Sequence, residues 1–506
     1  MSQFKLSDIT NPFWATNDGF KGGRDPMGIQ NSSVATYGKL LPGLTNLTGH
    51  IRYYSLYCWL LSEFVNLVKS KQTDIHQYNF IRRAELALAL IMKDQKKVDS
   101  VVGALFVSQK RYKIVDDDLY DLEDGADFNS EDKYWTYISG AFGQYYLGSL
   151  IYYELVKIDQ GWFYLLEQGE KLADAVRKSV DEEIRELFIE CLKYGAMSED
   201  ERKKLLPLGL NKIEKHSVEW KGLNYLLTKQ DKDSSLRRET VLLMLKDLDN
   251  GISINKFVEN RFINVENDGA YEAAFGWYFY YLCEAFHYCI ESVFCFILNE
   301  IDDLKNPPMS FLIEDIKNKV LSKMDKERLY QTINDWKNNI GDGIEEMFNE
   351  LKKLIKEEKD YPQAVVQSVA LLLRLQIELE LNKDRIEEFE NRYYLIDQRG
   401  IISTGLKSYV ARLSNQSIPS YIETIVKQIM QEHTIVAIGK MGNTDTDLRK
   451  FIFEDGKVVL VERREPTVTS PRIGTLYSFL QDLSYIDAKG NLSEIAKDYI
   501  KNYGDD

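Results

Sequence analysis

The sequence predicts a mostly α-helical protein, a multi-helix core carrying a small α+β domain near its C-terminal end. Three observations predict it. Prolines are few, 10 in 506 residues, while helix-forming Leu, Glu and Lys are plentiful, a balance that favours helices over a sheet-rich architecture. Long stretches place apolar residues three and four apart, the period of a helix with a buried face. Late in the chain the pattern changes: "LRKFIFEDGKVVLVE" alternates about Glu454-Asp455-Gly456, the signature of a β-hairpin.

Residues 1–45 carry Gly, Asn, Asp and Pro at short intervals, as in "NDGFKGGRDPMG", and read as an ordered loop segment. A main helical domain follows at 46–301, with helices expected at 47–69, 80–95, 133–157, 166–195, 236–248 and 269–300. The polar runs "DDDLYDLEDGADFNSED" and "LTKQDKDSSL" read as exposed loops between them. Paired prolines in "DDLKNPPMS" stop a helix and mark a boundary. The block 310–410 reads as a helical hairpin or bundle with a wet Lys/Glu face, from helices at 310–324, 327–357 and 362–382. The last segment, 415–506, opens with a helix at 420–441, for which Ser420 and Glu423 are spaced as a capping box. The hairpin comes next, and Ser470-Pro471 then opens a helix with Ile473, Leu476, Leu480 and Leu483 on one stripe. This piece has the size of a winged helix, but its hairpin precedes the last helices. No internal repeat is evident.

A formal net charge of −15 repels bare phosphate backbones, which excludes general nucleic-acid coating and leaves only a local basic site. The five cysteines form no CxxC pair and mostly lie in apolar runs, as reduced cytosolic thiols do. The N-terminus shows no basic region followed by an apolar block, so no secretory signal is expected. The apolar run 273–298 is interrupted by Glu284, His287 and Glu291, which argues for a buried helix rather than a membrane span. A cytoplasmic location without membrane contact is expected.

The stretch "LLPGLTNLTGHIRYYSLYCWLL" places a Pro-Gly turn before a helix with two apolar faces, the mark of a central core helix. His50 and Arg52 lie at its start, where free N–H groups and the helix dipole favour an anion. A buried arginine needs an anionic partner. An internal carboxylate would make the pair structural; an external phosphate would make it a binding site. The internal candidates are Glu284 and Glu291, which share one helix face with His287. Glu284-x-x-His287 also has the spacing of carboxylate-bridged di-metal bundles, but no second Glu-x-x-His exists, so no metal and no cofactor is expected.

No nucleophile elbow, P-loop or Cys/His pattern appears. Asp455 with Glu462 on the following strand is the one candidate catalytic pair, for a metal-dependent nuclease; the plainer reading is an exposed hairpin whose basic edge resists strand pairing. Candidate nucleic-acid contacts are Lys110, Arg111, Arg449, Lys450, Arg463, Arg464 and Arg472, with aromatic residues interleaved.

Three pieces in order, the stretch at Leu40–Leu61, "SLRRETVLLMLKDL", and "NTDTDLRKFIFEDGKVVLV" followed by "SPRIGTLYSFLQDLSYID", resemble large bacterial proteins encoded in restriction and phage-defence gene clusters, often beside helicases or nucleases. Pro42-Gly43 and Arg52-Tyr53-Tyr54 match the Pro-Gly turn and Arg-Tyr-Tyr/Phe helix of that family. The resemblance covers most of the chain and carries over no catalytic residue. It implies a non-enzymatic subunit or sensor of an antiphage-defence or nucleic-acid-processing complex, whose helicase, ATPase or nuclease partners supply the chemistry, with DNA or RNA a further candidate partner. The alternatives are the nuclease above and a protein-interaction scaffold without nucleic-acid contact.

Overall fold

The computed structural model describes residues 25–95, 100–115, 118–229, 235–341, 343–395, 401–441 and 447–503. Helix makes up 64% of it, and the strands form only three small sheets among the described residues. The chain is thus mostly α with a small β part.

By contacts it divides into two compact units. The first comprises Met1–Tyr37, Arg261–Val265 and Phe275–Thr469; the second comprises Gly38–Asn260, Glu266–Ala274 and Ser470–Asp506. These units follow packing, whereas the sequence segments follow prolines and composition, so the two divisions differ. In particular the C-terminal hairpin belongs to the first unit and the last two helices to the second.

In the second unit the helix Arg52–Lys69 is buried from Arg52 through Ser62, and again at Phe64 and Leu67. That burial follows from its two apolar stripes. It packs on the helices Gln77–Met92, Glu167–Ser179 and Val218–Thr228. Tyr53, Tyr54 and Tyr57 pack against Tyr146, which lies on a π-helical turn, Phe142–Tyr146.

Several expected elements break differently. The helix expected at 133–157 is the π-turn, a short helix Leu147–Tyr152, and the first strand of a hairpin, Val156–Asp159 with Trp162–Leu165. Gln160 and Gly161 both have positive φ, 47° and 82°, the two-residue turn that matches strand twist. The helix expected at 166–195 is two, interrupted where Val180 is extended. The acidic run is not simply exposed loop. Leu119–Asp121 is the central strand between Ile114–Val115 and Ala196–Ser198, with Tyr120 buried.

In the first unit the core helix is Glu272–Asp303. From Phe275 on it packs its rings against four further helices: Phe279 on Phe389, Tyr288 on Phe348, Phe286 on Tyr409 and Phe294 on His433. Among the described residues it alone is long and apolar enough to cross a membrane. Its most apolar stretch is wholly buried inside the protein, which fits the core helix of a soluble protein. The N-terminal loop segment corrects in part: residues 1–24 lie outside the described residues, and Asn31–Leu40 is helical. Its buried positions are largely Ser32, Ser33 and Thr36, so no apolar stripe announces it.

The helix expected at 327–357 is a 3-10 turn, Arg328–Tyr330, followed by the helices Ile333–Asn338 and Ile344–Lys353. The helix expected from 420 begins at Ile418, so Ser420 lies inside it and the predicted capping box does not form. The hairpin Phe451–Glu454 with Lys457–Leu460 is as expected, turning on Asp455 and Gly456 with φ of 49° and 75°. Its outer edge is covered rather than charged: Val458 N donates to Pro307 O and Leu460 N to Asn306 Oδ1. The paired prolines that mark a boundary in sequence thus close a sheet edge.

Candidate functional site

Within the second unit the stretch Leu40–Leu61, the middle piece "SLRRETVLLMLKDL" and the "SPRIGTLYSFLQDLSYID" half of the last piece meet on the segment 40–52, while the hairpin half of the last piece lies in the first unit. Gly43 has φ +79°, and a Cβ there would stand 2.6 Å from the Tyr152 ring, so only glycine fits this turn. Arg237, of the middle piece, donates Nη1 to Pro42 O at 2.8 Å. Its Nε and Nη2 cap the end of the helix Val218–Thr228 through Leu227 O and Leu226 O, at 3.0 and 2.8 Å. From the last piece, Arg472 donates to Leu41 O at 3.1 Å and Thr475 Oγ1 to Thr45 O at 2.9 Å. Asn46 in turn donates to Ser470 O at 2.8 Å. The helix Ile473–Asp482 ends on Asp482, whose carboxylate meets His50 Nδ1 at 3.2 Å and accepts Ile51 N at 3.1 Å.

The helix start at His50 therefore holds an anion from the chain itself. Arg52 is likewise paired internally, but not with Glu284 or Glu291. Its Nε and Nη2 donate to the two oxygens of Glu219, both at 3.0 Å, and Nη1 donates to Pro207 O and Gly209 O at 2.8 and 2.6 Å. Ser55 Oγ adds 2.7 Å to Glu219 Oε1. Arg52 and Glu219 are each 1% exposed. A planar fork meeting a carboxylate on both prongs is the strongest form of this contact. Glu219 escapes a sequence reading because an acid two residues after Ser217 looks like an ordinary first-turn residue.

A second buried carboxylate, Glu85, was not singled out by sequence. It accepts from Tyr57 OH at 2.6 Å, Phe142 N at 2.7 Å, Ala141 N at 3.1 Å and Tyr134 OH. Burial raises its pKa, opposed by these four donors. A lone acid among "RRAELALALIM" was the available signal.

Glu284, His287 and Glu291 do form one row, in the first unit. His287 Nε2 lies 3.0 Å from Glu284 Oε1 and Nδ1 lies 3.8 Å from Glu291 Oε1. Glu284 accepts Thr469 N at 2.8 Å and Thr469 Oγ1 at 2.6 Å; Glu291 accepts Thr467 N at 2.9 Å and Gln30 Nε2 at 2.5 Å. Burial alone would depress the imidazole, but Glu284, Glu291 and Asp25 together push it up to about 9. Burial pushes both acids up. The direct His287 contact reverses this for Glu284, while Glu291, farther from the imidazole and facing Asp25, stays raised.

The candidate catalytic pair does not converge. Asp455 sits at the hairpin tip, while Glu462 follows the second strand and pairs with Lys450. The four-residue strand between them spans about 13 Å, too far for a shared ion. Among the described residues no three His, Cys, Asp or Glu side chains are grouped to hold a metal. A cavity of about 210 Å³ beside Met27, Phe286 and Tyr409 is smaller than the ~300–1,000 Å³ of typical ligand pockets.

The basic candidates are largely engaged with neighbours. In the first unit Arg449 grips Asp447 through Nε and Nη2, Lys450 meets Glu462, and Arg463 Nε donates to Asp302 at 2.8 Å; Arg464 is half-buried. In the second unit Arg111 lies over the Phe106 ring, 5.1 Å from its centre, Lys110 is exposed, and Arg472 binds Leu41 O.

No protein-family model, curated protein or solved structure matches this chain.

Proposed function

We propose that this chain is a non-enzymatic subunit or sensor of a cytoplasmic prokaryotic antiphage-defence or nucleic-acid-processing complex, whose partner proteins supply the chemistry. The observation that supports the reading is the use made of the resemblance-bearing residues: Pro42, His50, Arg52, Arg237, Arg472 and Asp482 all bond within the second unit. Such a motif maintains a shape for others to recognise rather than a reaction centre. The cysteines point the same way, since all five are buried and burial pushes their thiols up, away from the reactive thiolate. Charges already paired at Arg449, Lys450 and Arg463 favour a protein partner over a bare phosphate backbone.

The discriminating variant is Asp455→Ala/Glu462→Ala, assayed for phage protection with the complete gene cluster present. Protection is expected to stay at the unsubstituted level. Loss of protection at unchanged thermal midpoint would replace this reading by the metal-dependent nuclease.

A further inference from the structure

Between the hairpin and the end of the first unit, residues 461–469 carry neither helix nor strand. This strap crosses the core helix Glu272–Asp303 with Thr467 against Glu291 and Thr469 against Glu284, so it runs antiparallel to the helix. Pro466 is buried and Val468 is 49% exposed; beside the row, Lys359 Nζ donates to Glu465 at 2.7 Å and Tyr280 OH lies 2.9 Å from Thr469 Oγ1. Its attachment to the row is polar: two main-chain N–H groups and one hydroxyl donated to two carboxylates. Those carboxylates are 4% and 3% exposed, with His287 wholly buried between them.

We propose that the Glu284–His287–Glu291 row is a protonation-dependent clasp: imidazolium at His287 keeps both carboxylates charged and accepting, and its loss releases the strap. The physical reason is that two buried carboxylates 3.0 and 3.8 Å from one imidazole repel one another unless it carries a proton. A buried carboxylate without its counter-charge takes up a proton or water, and either weakens its hold on a peptide N–H. The charged groups acting on His287 are Glu284 and Glu291 from its own helix and Asp25 from the segment before Asn31–Leu40. The helix Ile418–Met441 reaches that segment through Lys440 to Asp25 O and His433 to Pro26 O. From the strap, the groups meeting the row are the uncharged Thr467 and Thr469. Because the imidazole pKa is raised on folding, its contribution is complete below the ordinary imidazole range and disappears as pH rises through about 9. The clasp is independent of the functional reading above.

The test is hydrogen–deuterium exchange of the peptide covering residues 465–470, corrected for intrinsic rates, in the whole protein and in His287→Gln. Near neutral pH the variant is expected to speed strap exchange about tenfold or more, with the helix Tyr361–Leu381 unchanged. The unsubstituted protein is expected to make the same transition as pH rises through about 9. Should the variant fail to fold, the pH series decides alone. Strap protection that ignores pH across this range, or a strap and helix that loosen together, overturns the clasp.

Discussion

Arg52→Ala is expected to destabilise the second unit by about 3–5 kcal/mol, the cost of stranding one partner of a buried ion pair. The truncation leaves the Glu219 carboxylate with Ser55 Oγ as its remaining side-chain donor, and strips Pro207 O and Gly209 O of theirs. Arg52→Lys is expected to recover little of this. One ammonium cannot meet both Glu219 oxygens and two carbonyls from the same position. Arg52→Met/Glu219→Leu should recover most of the loss, because removing both charges removes the need to compensate either. Urea midpoints of the four proteins check the series. Arg52→Ala at full stability but without function would instead assign the guanidinium to an external anion.

The second large effect is expected at Glu85. Four donors converge on this one carboxylate, two tyrosine hydroxyls and the two N–H groups that open the π-helical turn Phe142–Tyr146. Glu85→Ala leaves all four without an acceptor in a fully buried site. At roughly 1–3 kcal/mol for each unsatisfied group, partly relieved by relaxation, the expected loss is about 3–5 kcal/mol. Glu85→Gln is expected to be milder, since its oxygen still accepts while its amide group faces donors it cannot serve. The two midpoints, with near-ultraviolet circular dichroism of the tyrosine cluster, separate these outcomes. Equal, negligible effects would mean that Glu85 does not organise the turn.

Where one helix face was apolar, the sequence was readable. Leu56, Leu60 and Phe64, or Phe279, Phe286 and Val293, announce their helices and their burial alike. The helix Asn31–Leu40 was invisible because Ser32, Ser33 and Thr36 take three of its five buried positions, leaving only Tyr37 and Leu40 apolar, and small hydroxyl residues look like loop. The hairpin at Val156–Leu165 was hidden by aromatic residues that also suit a helix. Its one sharp signal was Gly161. For the site, burial physics demanded that Arg52 and His50 find anions, and both have them. Which anions was not legible: Glu219 is 167 residues from Arg52 and Asp482 is 432 from His50, and neither carries a pattern beyond an ordinary helix-end acid. The Glu284–His287–Glu291 row was visible from its spacing, but its partners at Thr467 and Thr469 were not, because main-chain donors leave no mark in sequence.

On the proposed function, this chain works through partners. The most direct measurement is its mass by size exclusion with light scattering after co-expression with its gene neighbours, followed by identification of what travels with it. The expected result is a stoichiometric complex with a neighbouring helicase, ATPase or nuclease, and no nucleic-acid cleavage by the isolated chain. A partner-free protein that cleaves nucleic acid alone with a divalent cation, and stops doing so as Asp455→Ala/Glu462→Ala, would contradict it.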